Sequence, residues 1–412
     1  MCRLSIAFLI SASLNIFVEA GDWPGFRGPS QNGLVEQVDL PIRWTETENV
    51  RWFSKTTGLG WSSPVTKGDR IYFTSSVGTD DGGAQSLQLV CLNAADGKEL
   101  FSKTIFEQAK DAPKIHNKNS HASPTPLIDQ GRIFVHFGHQ GTACVDLEGT
   151  IIWQNRDNTY PPTHGNGGSP IVVDGKLVMT LDGGKEPCTL ALDVSTGKVV
   201  WRTKRNVDAD KTFSFCTPQL IECNSNAQII SPGSNVVQSL SPDDGRVLWF
   251  VRYDGFSVVP RPLYSHGTLF VCTGFNTPSL LAIDPSGTGD VTATHVKWTH
   301  GTGVPATPSI VCVNDQIVMT SDNGIASGID ILTGEELWRK RLGGNYSASP
   351  IVSGDNVYFQ SEAGDSLVLK IGKTAEEISR NKLSGRIFAS YSVIDQDLLI
   401  RSEEGIYRIG KQ

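Results

Sequence analysis

Several functional classes are excluded by what this chain lacks. Only 3 of its 412 residues are methionine and 19% are charged, which argues against a coiled coil and against an acidic disordered chain. No run of like charges exceeds three residues and the net charge is −7. Neither a polybasic membrane patch nor the basic face of a nucleic-acid binder is present, so no nucleic-acid partner is expected. No G-x-S-x-G, P-loop, HExxH or Rossmann fingerprint occurs. The cysteines form no CxxC, no CxxCH and no adjacent pair.

What is present begins with a targeting signal. Arg3 precedes an apolar stretch from Leu4 to Phe17, and Val18, Glu19 and Ala20 put small residues at −3 and −1 before Gly21. This is the pattern of a secretory signal peptide over residues 1–20, too short and wrongly flanked for a membrane anchor. Cys2 lies ahead of the apolar stretch and is no lipobox cysteine. The expectation is an exported protein, periplasmic or extracellular, with no transmembrane segment. Seven cysteines remain after removal of the signal, and an odd number cannot pair completely. Buried free thiols are expected, with Cys216 and Cys223 the pair to look for if one forms.

The rest of the chain repeats itself. A glycine is followed four residues later by an aromatic at Gly97/Phe101, Gly149/Trp153, Gly197/Trp201, Gly245/Trp249 and Gly334/Trp338. Successive aromatics lie 52, 48 and 48 residues apart, and Trp298 follows Trp249 by 49. Upstream in each unit stands a second marker: WSSPV (61–65), HASPTP (121–126), GGSPIV (167–172), FCTPQL (215–220), VPRPLY (259–264), PATPSI (305–310) and YSASPI (346–351). Short β-rich runs separated by Asp-Gly and Thr-Gly turns fill the space between the markers.

Four strands in 40 to 50 residues, repeated, make one blade of a β-propeller. The final unit, 388–410, carries only three strands, and NVRWFSKT (49–56) resembles the missing outer strand. Pairing the two removes the exposed sheet edge. The expected fold is therefore all-β: an eight-bladed propeller of four-stranded antiparallel blades closed by strands from both termini, with seven blades as the alternative. Residues 49–412 form the single propeller domain, and the Gly/Pro-rich segment 21–48 wraps its surface with Trp23 and Phe26 as anchors.

The S-x-S-P marker together with ALDVSTGKVVW (191–201) resembles the pyrroloquinoline-quinone-type propeller repeat, over about residues 44–410. DWPGFRGPSQNG (22–33) looks like the opening of secreted bacterial quinone-like repeat proteins. One branch of that family, the quinoprotein dehydrogenases, implies Ca²⁺ held beside a quinone, a catalytic Asp and commonly a vicinal disulfide. No residue here matches that set position by position, so no cofactor and no catalytic residue is assigned, with the quinone kept as an alternative. The other branch, non-enzymatic periplasmic propellers similar to BamB, implies a protein-interaction or envelope-assembly platform with a protein partner in the envelope. That role is the expected one, for a monomer. A small-molecule binder of quinone or carbohydrate, or an atypical quinone-dependent oxidoreductase, is the alternative.

Loops entering the inner strands and loops joining the second and third strands converge on one channel mouth. They bring His121, His139, His164, Asn166, Asp182, Lys185, Arg261, Asn276, Asp322 and Tyr346 into consideration as ligand-binding residues. His121, His139 and His164 beside Asp182 have metal-ligand chemistry, but spacings of 18 and 25 residues match no metal motif, and no metal is assigned. Asp322-Asn323-Gly324 reads as a turn. Lys118, in the long loop 106–121, is placed to fold over the same face.

Overall fold

A computed structural model describes residues 21–36, 39–78 and 83–411; the signal-peptide segment, residues 1–20, lies outside them. Each repeat folds into one antiparallel sheet whose strands pair in chain order. In the third blade these are Ile171–Val173, Lys176–Leu181, Cys188–Asp193 and Val199–Lys204. The middle strands are almost entirely buried between neighbouring blades, whereas the outer strand is largely exposed apart from Trp201. Eight such sheets form, among them a last blade in which Val50–Lys55 pairs antiparallel with Gly405–Ile409. The ring is thus closed by the N-terminal strand, and the seven-blade alternative is excluded.

The recurrent glycine and aromatic meet across blade boundaries. A Cβ placed on Gly97, Gly149, Gly197, Gly245 or Gly334 would come within 2.5 to 2.9 Å of Trp52, Phe101, Trp153, Trp201 or Trp298, respectively. Each aromatic therefore lies flat on the hairpin turn of the next blade, which only glycine allows. At Gly197 the backbone adds its own demand, with φ of 69°. The indole nitrogens extend the contact: Trp52 donates to the Ala94 carbonyl (2.8 Å), Trp153 to Val194 (2.9 Å) and Trp201 to Pro242 (3.2 Å).

Trp249 and Trp338 instead donate to Gln228 and Gln316 of their own blades. The long hairpin of blade 5 lays Gly289–Asp290 parallel to Trp249–Phe250 and helps to bury that indole completely. Blade 7, which has no aromatic of its own at this place, borrows one from the N-terminal segment. Trp44 is buried against its outer strand, and its main-chain N–H donates to Asn381 Oδ1 (3.0 Å).

The N-terminal segment does more than wrap the surface. Thr66 and Ile128, in blades 1 and 2, donate main-chain bonds to the carbonyls of Trp23 and Pro24 (2.9 and 2.7 Å). At the other side Leu34–Val35 runs parallel to the inner strand of blade 7, Ile351–Ser353. Between these anchors the segment crosses the base of the central channel. Among the described residues the seven cysteines, Cys216 and Cys223 included, are all unpaired, and all but Cys312 are buried. Among the described residues no helix is long and apolar enough to cross a membrane.

Candidate functional site

The inner strands meet at the channel axis through the residues of the second marker. In six of the seven markers one main-chain N–H donates to a hydroxyl of the next blade; after FCTPQL the next belt residue is Arg261, which has no hydroxyl. Ser63 N–H donates to Thr125 Oγ1 (3.0 Å), Thr125 to Ser169 Oγ (2.9 Å) and Ser169 to Thr217 Oγ1 (2.9 Å). Arg261 donates to Ser309 Oγ (3.0 Å), Ser309 to Ser349 Oγ (3.0 Å) and Ser349 to Ser390 Oγ (2.9 Å). A hydroxyl is needed because it accepts this bond and still has a proton to give. The result is a belt with one residue per blade, hydroxyl-bearing everywhere but at Arg261.

Two residues upstream, by the period of an extended chain, a second tier faces the same axis. It reads Trp61, Ser123, Gly167, Phe215, Val259, Thr307, Ser347 and Phe388 from blade 1 to blade 8, and all eight line one cavity of about 370 Å³. Unlike the belt below, this tier varies, and its variation has a pattern. Trp61 and Phe388 come from adjacent blades, with ring centroids 4.8 Å apart. Phe215 and Val259 come from blades 4 and 5, diametrically opposite in a ring of eight. Small or hydroxylated residues occupy the two intervening sides. The cavity is therefore a slot with two apolar faces.

Phe26, from the segment crossing the base, forms the floor. Above the slot stand Phe213, Phe256 and Phe275, each within 6.5 Å of the next, and Lys211 Nζ lies 3.9 Å from the Phe256 ring centre. Lys118 spans the mouth from the loop between blades 1 and 2 to Glu362 of blade 7 (2.8 Å), and Glu362 also accepts from Ser347 Oγ (2.6 Å). The Lys118 loop is pinned by Asn119, whose side chain donates to the His164 carbonyl (2.9 Å).

Of the residues singled out from sequence, His164 lines the cavity, edge-on to His116 and Phe213. Asn276 is exposed on the rim beside Phe275, and Lys185 is exposed away from the cavity lining. Asp182, Asn166, Asp322 and Arg261 are held by hydrogen bonds within the framework. Asp182 takes a two-pronged contact from Arg205 (2.6 and 2.7 Å), with both side chains buried, so it does not join the histidines. Arg205 also reaches the Ser231 carbonyl (2.9 Å) and so ties blade 3 to blade 4.

Asn166 accepts from the Tyr160 hydroxyl (2.6 Å), and Asp322 accepts from the Ala306 and Thr307 main chain (2.7 and 3.3 Å). Tyr346 is fully buried. His121 and His139 are half-buried in blade 2. Burial lowers the pKa of each, and His121 lowers that of His139 further. Among the described residues no group of three His, Cys, Asp or Glu is placed to hold a metal ion.

Arg261 sits in the belt but faces downward. It donates to the carbonyls of Pro218, Phe26 and Gln31 and to Gln31 Oε1 (2.6 to 3.1 Å). Beside it Arg27 donates to the carbonyls of Ile310 (3.1 Å), Asn32 (2.6 Å) and Pro350. Burial lowers both guanidinium pKa values to about 9, and for Arg27 the neighbouring charge of Arg261 adds to the effect.

The aromatic walls were not among the expected site residues. The signal was nonetheless in the sequence: Trp61, Phe215 and Phe388 each stand two residues before a belt hydroxyl, on the same side of the strand.

A family model described as outer membrane protein assembly factor BamB matches residues 31–214 and 224–409. A curated BamB of Legionella pneumophila (strain Paris) is 28% identical over 204 residues, which is 48% of either protein, so the match spans about half the length of that relative. Among solved structures, BamB from Moraxella catarrhalis superposes with a TM-score of 0.59 at 13% identity, covering 88% of this chain and 98% of that one. A europium-containing methanol dehydrogenase superposes with a TM-score of 0.65 at 11% identity, covering 94% of this chain and 91% of that one. At such identities the structural likenesses establish the fold. The family match, which covers most of the chain, establishes membership: the chain belongs to the outer membrane protein assembly factor BamB family.

Proposed function

We propose that this member of the BamB family is an exported, monomeric propeller that serves as a protein-interaction platform in the assembly of outer-membrane proteins. The observation that supports this most is the family match itself, which runs through both halves of the ring and includes residues 31–35 of the base-crossing segment. The surface offered to a partner is the aromatic rim around Phe275, which is 45% exposed. The test is deletion in the source bacterium, with outer-membrane protein content measured by quantitative proteomics and a photo-crosslinker placed at Asn276. Loss of outer-membrane proteins, restored by the wild-type gene, and a crosslink to an assembly component are expected. An unchanged outer-membrane profile would overturn the reading.

A second reading is supported by the slot: the channel holds a small molecule. Its lining carries hydroxyls, aromatics, the imidazoles of His116 and His164, the Asn119 amide and the Lys118 ammonium, but no carboxylate. That donor set does not fit a divalent cation bound beside a quinone, and no redox step is derived from it.

A further inference from the structure

We propose that the channel slot binds a flat aromatic monocarboxylate, its ring between the two apolar faces and its anionic end against Ser309 and Ser349. This deepens the small-molecule reading of the channel and rests on it.

Three observations converge on that chemistry. The first is unused donor capacity. The hydroxyls of Ser309 and Ser349 each accept a main-chain N–H, yet no hydrogen bond given by either hydroxyl is found among the described residues. Both residues are 2 to 3% exposed, and both line the cavity. Two neighbouring O–H groups in a nearly dry place call for an oxygen acceptor.

The second is charge. Pro350 and Ile310, whose carbonyls Arg27 holds, directly follow Ser349 and Ser309, so the Arg27 guanidinium lies immediately beneath the hydroxyl pair. Arg261 is its neighbour. Neither meets a carboxylate among the described residues, whereas the equally buried Arg205 is matched by Asp182. Two buried cations without counter-ions, in a chain whose net charge is −7, leave a positive potential at the base of the slot. No acidic residue lines the cavity, and Glu362, which accepts from the lining Ser347, is matched by Lys118.

The third is shape. A flat molecule held between Trp61 and Phe388 on one side and Phe215 and Val259 on the other has its edges toward the two remaining sides. One of those sides is formed by blades 6 and 7, the blades of Ser309 and Ser349. A carboxylate on that edge reaches the hydroxyls, whereas a second anionic group elsewhere on the ring would be set against apolar walls. A cavity of about 370 Å³ is near the lower end for ligand pockets and suits one or two fused rings.

The test uses the mature protein with 2-naphthoate and its neutral counterpart 2-naphthamide, titrated calorimetrically. Naphthoate is expected to bind at least about tenfold more tightly than the amide, the increment of a charge-assisted bond. Ser349→Ala should reduce that preference severalfold, and Phe388→Ala should weaken both probes alike. The wild-type comparison decides the matter even if Ser349→Ala fails to fold. Equal binding of the two probes would overturn the anionic site while leaving the small-molecule reading intact. Binding of neither to the folded protein would overturn both.

Discussion

The rim of the propeller and its axis are built from the same repeat and treat it in opposite ways. At the rim, five aromatics lie on five turn glycines in one arrangement. At the axis, the belt is nearly as uniform, but the tier two residues upstream runs from glycine to tryptophan. The difference follows from what each position touches. A rim aromatic must fit the turn of the next blade, so any change is felt at a packed contact. An upper-tier side chain faces a void, where size and polarity vary without disturbing the closure of the ring. Blade contacts should therefore govern stability, and the upper tier should govern what enters the channel.

The largest effects belong between blades. Arg205→Met should destabilise the fold by about 3–5 kcal/mol, because it leaves the buried Asp182 carboxylate without its partner. Adding Asp182→Leu should recover most of that loss. Urea unfolding of the single and double variants measures both. If the double variant is as unstable as the single, the ion pair is not what the cost measures.

An acid transition should come from the same region. His136 is fully buried between Thr142 (2.8 Å) and the neighbouring blade, and burial, with His139 adding to it, pushes its pKa from 6.5 to about 4. The unfolded chain takes up this proton while the folded protein does not. Stability contributed by neutral His136 is therefore complete above pH 6.5, falls as the pH drops toward 4, and levels off below. The loss is about 3 kcal/mol, at about 1.4 kcal/mol per pH unit. His136→Gln should flatten the slope of unfolding free energy between pH 6.5 and 5. An unchanged slope would assign the transition to other groups.

Gly197→Ala comes next, at about 2 kcal/mol, since it combines a left-handed backbone with a Cβ 2.5 Å from Trp153. Thermal unfolding measures it. The same substitution at Gly175, where φ is 71° but nothing lies within 4 Å, should cost only the backbone share, about 1 kcal/mol.

The contrast between the two regions also explains which features were legible in the sequence. Repetition made the fold readable: the Gly-x₃-aromatic hairpins and the partial last unit were enough to give eight blades and their closure. The site was harder because its residues are joined by hydrogen bonds between blades and not by spacing along the chain. Asp182 read as a ligand because its partner, Arg205, lies 23 positions away on a loop with no motif. Arg261 read as a mouth residue, since nothing in PRPLY shows that Phe26 and Gln31 lie beneath it. The upper tier was encoded simply, at two residues before each belt residue. Its meaning required knowing that the marker points to the axis and that blades four apart face each other.

The smallest predicted effect on stability is the sharpest test of that division. Thr307 belongs to the upper tier in blade 6, on one of the two sides of the slot without an apolar wall. Its main-chain N–H is held by Asp322, so the strand is anchored whatever the side chain. Thr307→Phe adds a ring to a void and should change the unfolding free energy by less than about 0.5 kcal/mol, as substitutions away from packed contacts do. It should nevertheless close the edge of the slot through which a flat ligand reaches Ser309, and lower naphthoate affinity by about tenfold or more. Calorimetric titration beside urea unfolding reads both numbers on one variant. A loss of stability as large as that of Gly197→Ala would mean that the upper tier is packed like the rim, and that its variation records tolerance of the fold instead of selection at the channel.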